Sequence, residues 1–312
     1  MRKTSLDCVY KLAQQDERVI FIGSDLGPGV LENFKKSYPE RFFMEGIAEQ
    51  HIIGMAAGLA LDGFIPYVNT IAVFLTRRCF EQVTLDLCLH DLPVRLIGNG
   101  GGLVYAPLGP THQAIEDIGI FRTLPNMGIV APCDADEMER LMNASLDWPH
   151  PLYIRLAKGG ESIVSKRDLG FKIGKGIHLK EGDEVLFVTT GITTQRALVA
   201  AQTLAYENVD CGIFHMHTIK PFDYKGLIQI AKSVEMIVTI EEHVLNGGLG
   251  SAVLEAFSDH GVFKKVIRLG IPNVFAEKYG SQDIIMKEYG LDPGNIVKTV
   301  KNSLIRKDKK GK

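Results

Sequence analysis

GIVAPCDADEMERLMNASLDWPHPLYIRL, residues 128–156, is the stretch that decides the fold. Gly128-Ile129-Val130-Ala131 and Leu152-Tyr153-Ile154-Arg155-Leu156 are short apolar runs of strand character. Between them, 134–147 reads as a helix, with Asp134 as its cap and acidic residues in its first turn. Continuously apolar strands separated by a helix indicate a parallel βαβ unit with both sheet faces covered. Towards the N-terminus the style continues. Val94-Arg95-Leu96-Ile97 and Val19-Ile20-Phe21-Ile22-Gly23 read as strands, and 115–122, 74–90 and 49–61 as helices, with Gly54 and Gly58 allowing close packing in the last. Towards the C-terminus, strands at 184–190, 209–215, 234–240 and 265–269 alternate with helices, and helical segments at 284–289 and 295–305 end the chain. The stretch 158–181 is broken by Gly159, Gly160, Gly170, Gly174 and Gly176 and reads as a connection. The expected fold class is α/β, in two domains that are each a mostly parallel sheet flanked by helices. The expected bounds are 1–165 and 181–306, with a linker over 166–180 and a disordered tail over 307–312.

The length of 312 residues favours two cores over one. Hydrophobic residues make up 46% and charged residues 23%, ordinary for a soluble protein, and the net charge of -2 gives no reason to expect nucleic acid or an anionic membrane as partner. The basic tail from Arg306 reads as a solvated terminus. Residues 1–15 carry Lys3, Asp7 and Lys11 and lack a signal-peptide core, and no stretch approaches the ~18 apolar residues of a membrane span. The five cysteines, Cys8, Cys79, Cys88, Cys133 and Cys211, are scattered without a CxxC. That spacing predicts reduced thiols in the cytoplasm and no disulfide framework.

The densest chemistry lies in Glu45-Gly46-Ile47-Ala48-Glu49-Gln50-His51, at the entry to a helix. By itself a glutamate there is adequately explained as structural, because the helix dipole favours its charge by roughly 0.3–1 kcal/mol. The wider pattern adds to this. GIAEQH followed by an apolar helix, Pro66 and then TIAVFLTRRCFEQ over 70–82 resembles the pyrimidine-binding domain of the transketolase family. Gly109-Pro110-Thr111-His112-Gln113 with Ile115-Glu116-Asp117 and Leu124-Pro125-Asn126 resembles the same family's GPTHQ and LPN signatures. Ile219-Lys220-Pro221-Phe222-Asp223, Glu241-Glu242-His243 and Gly247-Gly248-Leu249-Gly250 resemble its C-terminal domain. Each motif alone is weak; five in order along nearly the whole chain are a strong signal.

The resemblance implies a thiamine diphosphate enzyme that transfers a two-carbon ketol unit from a ketose to an aldehyde. It implies that Glu49 hydrogen-bonds the cofactor's aminopyrimidine and shares a proton with it, promoting the basic tautomer. Phe74 matches one of the family's pocket phenylalanines, though a core role suits it equally. Ile71 stands where a second phenylalanine is common, which implies a thinner but still apolar wall. His112 matches a histidine that faces the substrate carbonyl and hydroxyls. Asp25 resembles an aspartate near the cofactor and subunit interface, and a turn residue after a strand is an equal reading. Arg155 matches an arginine able to bind a substrate phosphate, or is a strand-end charge.

Three departures bear on substrate. Leu108 replaces the aspartate that precedes GPTH, Gly100-Gly101-Gly102 falls where a basic residue is usual, and Gly29 falls at a serine position. Together they predict a roomier, more apolar mouth and an unusual acceptor, bulkier or differently charged, such as a nucleotide-linked or specialised sugar.

The family's diphosphate half, with its GDG motif and later asparagine, has no counterpart here. Gly182-Asp183 is followed by Glu184 in a turn, and there is no P-loop. Mg2+, which needs carboxylate, amide and phosphate oxygens, is therefore expected to be bound mainly by a second polypeptide. The expected assembly is α2β2 with that N-terminal transketolase subunit, its centre lying between the chains. Alternative readings are a 2-oxoacid dehydrogenase beta-type subunit, a deoxyxylulose-phosphate synthase-like enzyme, and a catalytically silent scaffold subunit. His215 and His217 point to one face of a strand but lack a third metal ligand in view. Gly247-Gly248-Leu249-Gly250 lacks a full GxGxxG and reads as a tight βα turn.

Overall fold

The computed structural model describes residues 1–24 and 31–308. The chain runs α1 (Arg2–Gln15), β1 (Val19–Gly23), α2 (Glu32–Ser37), β2 (Phe42–Met44), α3 (Glu49–Leu61) and β3 (Ile65–Ile71). A helical segment follows in which α4 (Phe80–Gln82) is flanked by two π-helical turns, Phe74–Arg78 and Val83–Leu89. Then come β4 (Arg95–Asn99), α5 (Asp117–Arg122), β5 (Gly128–Val130), α6 (Ala135–Leu146) and β6 (Leu152–Arg155). The second half contains β7 (Ile177–Lys180), β8 (Val185–Thr189), α7 (Thr193–Ala205), β9 (Cys211–His215), β10 (Thr218–Lys220) and α8 (Tyr224–Ala231). It ends with β11 (Met236–Val244), α9 (Leu249–Asp259), β12 (Lys265–Ile271), α10 (Gln282–Glu288) and α11 (Pro293–Asp308).

Two sheets form, ordered β10-β5-β6-β4-β3-β1-β2 and β12-β11-β8-β9-β7. All pairings within them are parallel except β10 with β5 and β7 with β9. Strands β1, β4, β5, β6, β8 and β9 are buried at every residue, as expected where helices cover both faces. One face of the first sheet packs Val19, Phe21, Ile97 and Ile154 against α1 and α6. Its other face packs Ile20, Ile22, Val68 and Leu96 against α3 and the π-helical segment, and this core runs on into Leu186, Val188 and Phe214 of the second half. A third core encloses Val185, Phe187, Ile213 and Val238 under α7 and α11.

Local chemistry fixes the helix ends. Asp134 caps α6 by accepting the Glu137 N–H at 2.9 Å, as the sequence predicts. The far end of α6 is closed by Arg95, a fully buried arginine on β4. It donates to the carbonyls of Ser145, Leu146, Trp148 and His150, where a helix C-terminus favours positive charge.

The two sheets are not simply in series. Residues 218–220 leave the second half and add β10 to the edge of the first sheet, and β7 forms inside the stretch expected as linker. The crossing is lined with buried polar groups. His215 donates from Nε2 to Glu137 at 2.9 Å and its Nδ1 meets the Thr194 hydroxyl, while His217 stacks on Phe171 at 4.3 Å. The two histidines thus serve separate contacts, and Glu137 also receives the Cys133 N–H at 2.7 Å.

Burial pushes the His217 imidazole down to about 4, from an ordinary value of 6.5. Between those values the unfolded chain binds a proton that the folded one refuses, so stability falls as pH drops through the window. The full loss is on the order of 3 kcal/mol. Urea unfolding from pH 7 to pH 5 is expected to show a shallower loss in His217→Phe than in the wild type; equal slopes would count against the assignment.

Candidate active site

The candidate residues gather at the C-terminal ends of parallel strands, where open α/β sheets place their ligands. The chain leaving β2 turns through Gly46 (φ 67°) and enters α3 directly at Glu49. The chain leaving β3 passes Ile71 and reaches Phe74 at the start of a π-helical turn, a local winding frequent at functional sites. The chain leaving β4 runs through Gly100 to the 3₁₀ turn Ala106–Leu108 and on to His112.

Glu49 is 2% exposed at the first turn of α3, where the dipole supports its charge. Its Oε2 accepts a hydrogen bond from Arg78 Nη1 at 2.5 Å. The Arg78 guanidinium lies over the Phe74 ring, 4.5 Å from its centroid, and Phe74 meets the His112 ring edge-on at 5.4 Å. His112 is half-buried, its Nδ1 bonded to the Thr111 hydroxyl at 2.9 Å and its backbone N–H to the Gly109 carbonyl. Glu49, Phe74 and His112 therefore share one locality, with Arg78 between the first two. Ile71 sits half-buried at the end of β3 opposite Asn99 and packs on the same core as Phe74. Leu108 is 53% exposed beside this loop. Asp25 and Gly29 lie outside the described residues.

Two expectations are corrected. Arg155 is buried, donating from Nε to Asp117 at 2.7 Å and from Nη2 to the carbonyls of Ala114 and Glu242. With Nε and Nη2 so committed, the guanidinium acts as a clasp between the halves of the chain and leaves Nη1 without a protein partner among these bonds. The glycines at 100–102 likewise open no space. A Cβ on Gly100 would lie 2.1 Å from the Tyr105 ring and one on Gly102 2.4 Å from the Glu242 carboxyl, and both have positive φ, 75° and 70°. Tyr105, Arg155 and Glu242 fill the volume that a basic side chain would need. Leu108 gives this loop an exposed apolar side chain.

The sequence reading omitted three neighbours. Arg78 stands four residues after Phe74, and a charged pair, Arg77-Arg78, inside an otherwise apolar segment was the available signal. Phe275 and Tyr279, 69% and 71% exposed, come from the loop after β12. Tyr279 lies 3.0 Å from where a Cβ on Gly109 would stand, and Phe275 lines a cavity of about 340 Å³ with Arg77, Pro110 and Thr111.

A buried carboxylate at a helix N-terminus beside an aromatic ring suits an aminopyrimidine, which needs a carboxyl at its edge and an apolar face. Gly182 and Asp183 do not suit Mg2+ or a diphosphate. They form the turn between β7 and β8, where the Asp183 N–H and Glu184 carboxylate are both bonded to Asp210 and a Cβ on Gly182 would lie 2.1 Å from the Gly212 nitrogen.

Residues 1–160 match the pyrimidine-binding domain of transketolase, and residues 174–296 match the transketolase C-terminal domain. The chain belongs to the transketolase family. One of the subunits of the apulose-4-phosphate transketolase of Phocaeicola vulgatus is 34% identical over 300 residues, covering 96% of this chain and 95% of that one. A solved split-gene transketolase, described as an inactive beta4 tetramer, superposes with a TM-score of 0.90 at 35% identity, covering 97% of this chain and 98% of the other. The 1-deoxy-D-xylulose-5-phosphate synthase of Caldanaerobacter subterraneus is 36% identical over 293 residues, which are 93% of this chain but 46% of the synthase. The chain thus spans about half the length of the synthases it matches and nearly all of the split transketolase chains. Members of this family depend on thiamine diphosphate.

The Arg155 clasp is open to direct measurement. Asp117→Ala leaves a buried guanidinium without its counter-charge and is expected to cost about 3–5 kcal/mol of unfolding free energy. Chemical denaturation of the isolated chain reads this; a loss below ~1 kcal/mol would return Arg155 to a substrate role.

Proposed function

We propose that this chain is the C-terminal subunit of a two-component transketolase that moves a two-carbon ketol unit from a ketose to an aldehyde. One observation carries the reading: a buried Glu49 at the head of α3 shares a locality with Phe74 and His112, on a chain that matches one component of a split transketolase along almost its whole length. Glu49, Phe74 and Ile71 would hold the pyrimidine end of thiamine diphosphate, whose thiazolium carbon supplies the carbanion chemistry when bound. Glu49 would share a proton with the ring nitrogen opposite the amino group. His112 would donate to, or relay a proton from, the carbonyl and hydroxyl oxygens of the substrate.

Gly182 and Asp183, taken up in the turn before β8, do not suit the diphosphate and Mg2+, which supports an N-terminal partner subunit carrying the GDG motif and its asparagine. Phe74 and His112 would then face that partner in an α2β2 assembly. Asp25 is retained as a candidate cofactor neighbour. All five cysteines are unpaired, and no helix among the described residues is long and apolar enough to cross a membrane. The thiols fit a reducing compartment such as the cytoplasm.

Leu108, Phe275 and Tyr279 give the approach to His112 an apolar and aromatic edge. This supports a specialised sugar acceptor; apulose 4-phosphate, named for the Phocaeicola relative, is a ketose and therefore a first donor to try. The likeness to deoxyxylulose-phosphate synthases favours a second reading, with a 2-oxoacid as donor.

Copurification with the partner chain followed by a thiamine-dependent assay tests both. Ketose consumption without carbon dioxide release supports ketol transfer, and consumption of a 2-oxoacid with carbon dioxide release supports the second reading. Glu49→Gln in the two-chain complex is expected to lower kcat by at least about 100-fold. Unchanged turnover in that variant would remove Glu49 from the reaction. Erythrose 4-phosphate or ribose 5-phosphate as best acceptor would overturn the specialised-sugar reading.

A further inference from the structure

Arg78 makes two contacts at once. Its Nη1 donates to Glu49 Oε2 at 2.5 Å, and its Cζ lies 4.5 Å from the centroid of the Phe74 ring. The π-helical winding over Phe74–Arg78 brings residue 78 back over residue 74, so one planar cation rests against the ring while its edge reaches the carboxylate. The two partners differ in access: Glu49 is 2% exposed at its side chain, and Arg78 42%. The guanidinium can therefore leave on its flexible stem without unpacking the core, whereas the carboxylate cannot move towards solvent.

A carboxylate buried at the head of a helix needs a counter-charge or a donor, because an isolated buried charge is strongly destabilising. Guanidinium suits the position, being planar, delocalised, able to stack on an aromatic face and able to donate from its edge. These are also the two demands an aminopyrimidine makes of the same pair of side chains: a ring face for stacking and a carboxyl for its nitrogen edge. The same Glu49 edge and Phe74 face cannot serve both groups together.

We propose that Arg78 is a positioning residue that stands in for the cofactor's ring in the isolated chain, keeping Glu49 buried, paired and aimed until the ring displaces it. The proposal rests on the cofactor reading of Glu49 and adds a competition to it. Arg78 must break from Glu49 before the ring seats, so the isolated chain is closed to thiamine by one of its own side chains. Displacement exchanges a cationic partner of Glu49 for a neutral ring with which it can share a proton.

The test uses the full isolated chain and thiamine as probe, titrated by calorimetry and by ligand-observed NMR. Arg78→Met is expected to bind thiamine at least tenfold more tightly than the wild type, and Glu49→Gln added to it is expected to abolish the gain. Arg78→Lys, which keeps the charge but not the stacking plane, is expected to fall between the two and covers the case in which the methionine variant folds poorly. A second readout is stability without ligand. Arg78→Met is expected to lower the folded-to-unfolded ratio in wild-type background but to have little effect on Glu49→Gln, a non-additivity that surface packing alone would not produce. Equal or weaker thiamine binding in both Arg78 variants overturns the stand-in role, even if the two-chain complex transfers ketol units. Absence of thiamine-dependent turnover in that complex would instead overturn the reading of Glu49, so the two failures are distinguishable.

Discussion

The architecture turns on one buried charge, the guanidinium of Arg155 at the end of β6. Taking a cation out of water is tolerable only if a counter-charge and acceptors surround it. Here they come from both halves of the chain: Asp117 and the Ala114 carbonyl from the first, and the Glu242 carbonyl from the second. Around this centre the seam closes. The Glu242 carboxylate accepts the Leu103 N–H at 2.8 Å and the Gln282 amide at 2.7 Å, the Val244 N–H reaches the Ile115 carbonyl, and His243 accepts the Gly119 N–H. The loop that carries His112 is thereby tied at both ends to β11.

That seam explains residues that otherwise look like losses of function. With Arg155 and Glu242 pressed against the turn after β4, only glycine fits at 101 and 102, and Tyr105 imposes the same condition on 100. A basic side chain there would have to displace the buried side chains of Arg155 and Glu242. The missing cation is thus a consequence of how the halves join, whereas Leu108 is 53% exposed, with its backbone N–H bonded to the Tyr105 carbonyl. Of the three departures in the expected substrate clamp, Gly100-Gly101-Gly102 follow from assembly, Leu108 is exposed and remains the candidate for substrate contact, and Gly29 lies outside the described residues.

The sequence was most legible where information is local. Largely apolar runs marked β1, β4, β5, β6, β8, β9 and β11, and the Asp134 cap marked α6 within a residue or two, because burial on both faces and a capped first turn write themselves into adjacent positions. Non-local features were not legible. The edge strand β10 is three residues of the second half paired with the first sheet, and nothing in Thr218-Ile219-Lys220 announces so distant a partner. Arg95 looks like an intrusion in a strand until the end of α6 is brought against it. Arg155 shows the same limit: the motif supplies a guanidinium, but only the fold shows that its Nε and Nη2 are taken by Asp117, Ala114 and Glu242. Phe275 and Tyr279 reach the His112 loop from a remote part of the second half, a separation no spacing pattern records.

Glu49 shows how a partial site can persist in a folded chain. Its place at the head of α3 is set by the backbone through Gly46, and its side chain is held by Arg78. A carboxylate placed in this way is a standing electrostatic debt, and the neighbourhood must discharge it whether or not a cofactor is present. Arg155 and Asp117 solve the same problem by mutual burial, which fixes them in place. Glu49 is paired with a residue that is 42% exposed at its side chain, so the partner can be exchanged from solvent, provided that the incoming group also satisfies the buried carboxylate. The contrast between a fully enclosed pair and a half-enclosed one separates the part of this chain built to stay closed from the part built to open.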